Sequence, residues 1–420
     1  MHKLPKWPPC TPGLRSVPKT GVIYVTSRAR EVGFTPTSEE WANLGQGAPE
    51  TGPLVAEAVD EISHVPVHAD LNEYAPVAGL PALRERVAEL YNALYRKGKM
   101  PYTAENVAIS GGGRLALTRL AAAMGEINIG HFLPDYTAYE ELLTIFKAFH
   151  PIPILLSEEN NYHINLRTLE AEILGRGLSA ILLSNPCNPT GQLIRHGALK
   201  NWVRLMRETA CTCIFDEFYG HYVYGPEADS PVSAAHYVED VDRDPIIIVD
   251  GLTKNWRLPG WRICWTVGPQ DVIEAVTSVA SFLDGGAPHL LQEATLPLLE
   301  IGRVEEQSRV LRWVFCRKRE YVLERLETMN IAVDVPPQGS FYCWANLSRL
   351  PEPLNDGMQF FEEGLKRKVI TVPGEFFDVN PGKRRRKSRY QQYTRISFGP
   401  SMQALERGLD GLEGLIKDFS

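Results

Sequence analysis

Lys254 lies in the stretch GLTKNWRLPGWR, residues 251–262, just after the apolar run Pro245–Val249. Most lysines sit solvated at a surface. One desolvated beside a second cation has a depressed pKa, and its uncharged amine is a nucleophile toward aldehydes. Trp256, Pro259 and Trp261 supply the apolar flank here, and Arg262 supplies both a cation and the planar fork that grips a phosphate. Asp216, in FDEFYGHY, ends another apolar run, where a carboxylate needs a cation or strong hydrogen bonds. A structural ion pair meets that need, and so does a ring nitrogen that must stay protonated. Tyr219 follows and can offer its hydroxyl to the same ligand. Asn188, in SNPCNPTGQ, presents a side-chain donor from a turn built on two Asn-Pro pairs, a motif that otherwise reads as a plain turn. ISGGGRLAL, residues 109–117, brings Gly112, Gly113 and Arg114 to a strand-to-helix turn. Glycines there let backbone N–H groups approach a phosphate at a helix N-terminus, although tight turns of this kind often carry glycine for structural reasons alone. The spacing fits neither a Walker A loop nor a dinucleotide fingerprint.

These residues need a scaffold that gathers them. Leu83, Val87, Leu90 and Leu94 recur at helical spacing between charges, so the segment from Leu80 is an amphipathic helix. VAIS at Val107, ILLS at Ile181, CTCIFDEFY at Cys211 and IIIVDGLTK at Ile246 read as buried strands. The segments LALTRLAAAMG and RHGALKNWVRLMRETA between them read as helices. Short apolar strands alternating with amphipathic helices predict a mostly parallel sheet with helices on both faces. Ligands of such sheets sit at the carboxyl ends of the strands, which is where the reactive residues fall. After about Ala287 a long helical pattern leads into the alternating segments IAVDV and GSFYCWANL, which predict a second, smaller α+β domain. The first twenty residues, with Pro5, Pro8, Pro9, Pro12 and Pro18, predict an extended arm.

Composition narrows the function classes. The 420 residues carry a formal net charge of -7, which argues against a general nucleic-acid binder. Seven cysteines without a Cys-x-x-Cys pair disfavour a disulfide scaffold and a zinc site and predict a reducing, cytoplasmic setting. No apolar run reaches the ~20 residues that a membrane helix requires, and the N-terminus has no apolar core of a secretory signal. No metal site is expected.

A phosphate cradle, a carboxylate for a ring nitrogen, hydroxyl and amide donors and a reactive lysine together describe a pyridoxal-phosphate site. The chain resembles the class I and II aminotransferases, enzymes of PLP fold type I, over roughly residues 43–400. NLGQGAP, YAPVAGLPALR, ISGGGRLAL, LPDYTAYEE, NPCNPTG, DEFY, GLTKNWRLPGWRICW and RISFG stand in the order and spacing of that family. The resemblance implies a seven-stranded, mostly parallel sheet in a large domain (49–300), a small domain (301–420) and an arm (1–48) that joins small-domain or dimer contacts. It implies that Lys254 bonds the cofactor as a Schiff base, with Asp216 on the pyridine nitrogen, Asn188 and Tyr219 on the phenolic oxygen, and Tyr136 stacked on the ring. Gly112, Gly113, Arg114 and Arg262 would cradle the phosphate, and Tyr74 would reach the phosphate of a neighbouring subunit in a homodimer. Arg395 would grip the substrate carboxylate with help from Asn188, and Gly47 would lie against the substrate. The expected reaction moves an amino group between an α-amino acid and a 2-oxo acid. Elimination, cyclisation or oxidation of an amino acid on the same cofactor is the alternative. Two departures stand out: Gly251 occupies a position where some relatives have a phosphate-binding serine, and the turn reads Gly-Gly-Gly-Arg. The basic run Lys383–Lys387 reads as a solvated face.

Overall fold

The computed structural model describes residues 14, 17–54, 65–225 and 230–419. Pro5, Pro8, Pro9 and Pro12 of the expected arm lie outside these residues. Pro18 precedes a helix, Gly21–Glu31, that the proline-rich start did not suggest. Strands follow in chain order: β1 (Ala42–Asn43), β2 (Val107–Ser110), β3 (Ile127–Leu133), β4 (Phe149–Leu155), β5 (Leu178–Ser184), β6 (Thr212–Asp216), β7 (Ile246–Gly251), β8 (Cys264–Val267), β9 (Tyr342–Asn346), β10 (Val369–Ile370), β11 (Val372–Pro373) and β12 (Tyr393–Ser397).

The central sheet has seven strands in the order β2-β8-β7-β6-β5-β3-β4. All run parallel except β8, which is antiparallel to both neighbours. Burial explains why β5, β6 and β7 form its middle: they are near-continuous apolar runs, and β7 is buried along its whole length. Cys213 and Phe215 of β6 face a core built on helices Pro81–Tyr95 and His196–Thr209. Ile214 faces the other core, to which helices Gly113–Ala123 and Gln270–Leu283 contribute. Alternate side chains of one strand thus feed two cores, and both faces are covered.

The register aligns the carboxyl ends. Ser184 of β5 pairs with Asp216 of β6, Asp216 with Val249 of β7, and Gly251 of β7 with Cys264 of β8. The turns that leave these strands therefore open side by side.

The C-terminal part forms the three-stranded antiparallel sheet β11-β12-β9 beside the short parallel pair β1–β10. Helix Ile301–Thr328 leads into it. IAVDV, expected as an alternating segment, contributes only an isolated bridge between Ala332 and Asn346. The segment after β1 returns to the site: Ser397 N donates to Leu44 O at 2.7 Å, and Glu50 N donates to Gly399 O at 2.8 Å. None of the described helices is long and apolar enough to cross a membrane.

Candidate active site

Four turns at the carboxyl edge of the large sheet meet β12 and the segment 44–50 of the second unit. Lys254 leaves β7 in the first turn, and its Nζ donates to Gly47 O. Its pKa falls from the ordinary lysine value to about 7. Burial of the amine is the main cause; Arg395, Arg114 and Arg262 add to it, and Asp216 opposes it. The same chain then turns through Pro259–Trp261 into Arg262, which adopts the left-handed conformation at φ 55°. That returns its guanidinium over the glycine turn.

Gly112 shows how close that return is. A Cβ there would lie 2.1 Å from Arg262 Nη2, so any side chain would push the guanidinium off the turn. Gly112 also holds φ 101° and ψ 157° at the N-cap of helix Gly113–Ala123. At Gly113 a Cβ would meet the Phe218 ring at 2.4 Å. Bare backbone N–H groups, a helix N-terminus and an arginine thus converge, a ready anion site. Gly251 resolves the serine departure: a Cβ there would lie 2.4 Å from Cys264 Cα, so the β7–β8 pairing leaves no space for a side chain.

Asp216 is buried, and its Oδ2 accepts from Tyr139 Oη at 2.8 Å. Burial raises its carboxyl to about 6, against the Tyr139 bond, the Phe218 N–H and Lys254, which lower it. It is therefore ionised above pH 6 without a cationic side chain at salt-bridge distance among the described residues. Tyr136 neighbours this pair, edge-on to Tyr139 at 5.4 Å between ring centroids. Arg114 donates to Tyr136 Oη at 3.2 Å. Tyr219 is buried, and its hydroxyl shares a 3.0 Å hydrogen bond with Tyr342 Oη.

Arg395 enters from β12 and is buried. Its Nη1 donates to Asn188 Oδ1 at 2.9 Å and its Nη2 to Gly45 O at 2.8 Å. Its Cζ stands 4.1 Å from the centre of the Tyr342 ring and 5.1 Å from that of Phe377. No carboxylate pairs with it among the described residues, and its Nε is buried without a partner. A buried cation left this way is suited to an anionic ligand. Asn188 is held from below: its N–H donates to Ser184 Oγ at 3.1 Å, and that hydroxyl donates to Asp135 Oδ1 at 2.6 Å.

Lys254, Asp216, Tyr219, Asn188, Arg395, Gly47, Arg262, Gly112, Gly113, Arg114 and Tyr136 are therefore neighbours in one cluster. Tyr74 is not: it is 93% exposed on a single chain. Sequence reasoning missed Tyr139, Tyr342 and Gly45. Tyr139 carried a signal, since it lies one helical turn from Tyr136 in the motif LPDYTAYEE. Tyr342 and Gly45 come from segments far along the chain and had none. The basic run is largely solvated, as expected, but it is also anchored. Lys383 pairs with Glu140, and Arg385 Nη2 reaches Asp378 Oδ1 and Val379 O, the latter at 2.9 Å. Two buried carboxylates thus anchor the loop, while Lys383, Arg384, Arg386 and Lys387 stay exposed and Arg385 alone is half-buried.

The family model for aminotransferase class I and II matches residues 39–412. The chain belongs to the class I and II aminotransferases. It is 25% identical over 401 residues to a probable aspartate/prephenate aminotransferase of Aquifex aeolicus, covering 94% of this chain and 96% of that protein. An aspartate aminotransferase of Thermotoga maritima is 27% identical over 387 residues, covering 90% and 92%. The fold matches that of the Thermus thermophilus aspartate aminotransferase solved with maleate, at a TM-score of 0.77 and 23% identity over 96% of this chain and 100% of that one. The transferase is thus an enzyme of amino-group transfer on an α/β scaffold with the expected seven-stranded sheet.

Proposed function

We propose that this aminotransferase binds pyridoxal 5'-phosphate covalently at Lys254 and shuttles an amino group between an α-amino acid and a 2-oxo acid. The observation that carries the reading is the convergence of a lysine with a pKa near 7, a buried carboxylate, an anion cradle and an unpaired buried arginine on one crevice. The residues fit the cofactor. The Gly112–Arg262 cradle takes a phosphate, Asp216 takes the ring nitrogen, Tyr219 and Asn188 take the phenolic oxygen, and Tyr136 lies beside the ring.

When bound, pyridoxal phosphate supplies an aldehyde and a protonated ring that accepts electrons from the substrate. The chain supplies position and protons. Asp216 keeps the proton on the ring nitrogen. Arg395 fixes the substrate carboxylate and thereby decides which bond at Cα is presented to the ring. Lys254 Nζ takes the proton from Cα and returns one, which its pKa near 7 allows at neutral pH. Tyr342 holds both Tyr219 and Arg395 and so joins the two halves of the site.

Tyr74, a large aromatic side chain left exposed on a single chain, supports a homodimer in which it reaches the partner subunit's phosphate site. The six described cysteines are unpaired, which supports a cytoplasmic setting. The names of the relatives make aspartate and prephenate the first acids to assay.

The test is a half-reaction. Protein loaded with pyridoxal phosphate and mixed with a donor should lose its near-visible band, gain the pyridoxamine spectrum and release one equivalent of 2-oxo acid. Lys254→Ala should lack the starting band. Ammonia release without an acceptor, or normal turnover of Lys254→Ala, would overturn the reading.

A further inference from the structure

Lys254 lies in the turn after β7, and Asp216 is the last residue of β6. The two strands are paired up to Asp216 and Val249; Asp216 is the last residue of that pairing, and Lys254 lies three residues beyond the end of β7, where the ladder no longer constrains the chain. Three consecutive residues continue the connection beyond it. Lys254 O accepts from Tyr222 Oη at 2.8 Å. Asn255 Oδ1 accepts from His221 N at 3.0 Å, and Asn255 Nδ2 donates to Glu217 O at 3.2 Å. Trp256 packs on the His221 ring at 5.0 Å between centroids. Residues 254–256 are thus laced to residues 217–222.

Asn255 is the centre of this lacing. It is buried, and its Nδ2 also donates to Asp250 Oδ1 at 2.9 Å, so it ties the end of β7 to its own turn as well. Neither Asp250 nor Glu217 has a cation at salt-bridge distance among the described residues. Asp250 Oδ1 accepts from Gly251 N at 2.6 Å, and Glu217 Oε1 accepts from Ala234 N at 2.7 Å. Burial pushes both carboxyls up, Glu217 to about 8. A neutral amide is the group that can bond this pair's surroundings without adding a charge, and it uses the acceptor and the donor of its side chain at once.

We propose that Asn255 is a positioning residue that sets the placement of the Lys254 amine relative to Asp216. It touches neither substrate nor cofactor. It acts through its peptide link to Lys254 and through its bonds to the turn that Asp216 begins. The inference rests on the reading of Lys254 as the reacting amine.

The consequence is specific. The amine is faced by Arg395 from β12, Arg114 from the glycine-turn helix, Arg262 from its own turn and Asp216 from β6. Burial is the largest influence on it. Loosening the turn hydrates the amine first, so its pKa must rise toward the ordinary lysine value.

The test follows Lys254 itself. Competitive acetylation at a series of pH values, read by mass spectrometry of the Lys254 peptide, gives its midpoint in the cofactor-free protein. Steady-state kinetics on the loaded enzyme gives kcat and KM. Asn255→Ala is expected to raise the midpoint by about one pH unit, the equivalent of one ordinary perturbation of the group. It should lower kcat by up to roughly 10²-fold, the effect of a small misplacement of a reacting group. KM for the donor should stay within about threefold, since the variant leaves uniform binding intact. Asn255→Gln keeps a neutral amide with both acceptor and donor and should recover part of both changes; it also carries the measurement if the alanine variant does not fold. An unchanged midpoint and kcat with only a lower melting temperature would mean a purely structural role and would overturn the proposal. If wild-type protein fails to take up pyridoxal phosphate, the functional reading falls, while the labelling midpoint still decides the role of Asn255.

Discussion

Gly112→Ala separates the cradle from the rest of the site, because two costs of different kind meet at that residue. The first is conformational. At φ 101° and ψ 157° the backbone sits in a region that only glycine enters readily, and a side chain there costs ~1–3 kcal/mol. That strain exists with or without cofactor, so it lowers the melting temperature of the cofactor-free protein. The second is steric. The new Cβ would lie 2.1 Å from Arg262 Nη2 and 2.7 Å from its Cζ, so the guanidinium must move off the turn. If Arg262 grips the phosphate there, one charged hydrogen bond is lost, about 1.5–3 kcal/mol. Pyridoxal-phosphate affinity then falls on the order of 10- to 100-fold, at ~1.4 kcal/mol per decade. Absorbance titration of the cofactor-free protein measures it. Arg262→Ala removes both the grip and the clash. In that background the glycine substitution should still lower the melting temperature but cost little further affinity, a strong non-additivity. Wild-type affinity for Gly112→Ala, or full additivity of the two binding losses, would refute the placement of Arg262 over the cradle.

Arg395→Lys keeps the charge but loses the fork that holds Asn188 and Gly45 O, so KM for amino and oxo acids alike should rise roughly 30- to 100-fold, about 2–3 kcal/mol. Steady-state assays in both directions check it, and an effect on one substrate alone would contradict a shared carboxylate site. Only the uncharged Lys254 amine attacks an aldehyde. With its pKa lowered to about 7, cofactor uptake by the cofactor-free protein should be at half its maximum near pH 7 and drop about tenfold per pH unit below that. Stopped-flow uptake against pH reads this, and a midpoint near the ordinary lysine value would show a solvated amine. Tyr342→Phe removes the hydroxyl shared with Tyr219 but keeps the ring beneath Arg395, so kcat should fall about fivefold, ~1 kcal/mol, with KM nearly unchanged.

Four strands of the large sheet, β2, β5, β6 and β7, were legible because they are buried on both faces and read as apolar runs. Val107–Ser110 and the strands ending at Ser184 and Asp216 all announced themselves this way. β3 and β4 did not, since β3 opens on half-buried residues and β4 mixes exposed positions and prolines into its run. The antiparallel strand Cys264–Val267 was hidden behind the reactive stretch, whose Pro-Gly turn drew the reading toward a loop. Helix Gly21–Glu31 escaped because its sequence follows prolines and its apolar residues Val22–Val25 form one β-branched-rich run instead of recurring at helical spacing; its helical state is supported by tertiary contacts such as Arg28 with Glu362 at 3.0 Å. The basic run was legible as a solvated face, four of its five residues being exposed, but its anchoring was not. Charge alone says solvated, and only the fold brings Glu140 and Asp378 to Lys383 and Arg385.

At the site, the residues that could be picked out are those whose chemistry is unusual where they stand: a lysine among tryptophans, an aspartate ending an apolar strand, glycines before a helix. Those that could not be picked out are the tyrosines that bind these groups together. Tyr139, Tyr222 and Tyr342 look like ordinary aromatic core residues, and each is in fact buried. Their hydroxyls decide the matter. They reach Asp216, the Lys254 carbonyl and Tyr219, so each burial also satisfies a polar group that the site would otherwise strand. The same economy explains Gly251. A serine at that position would have to sit inside the β7–β8 pairing, whereas glycine lets the strands close. The packing of β7 on β8 therefore excludes a side chain from the position where some relatives carry a phosphate-binding serine.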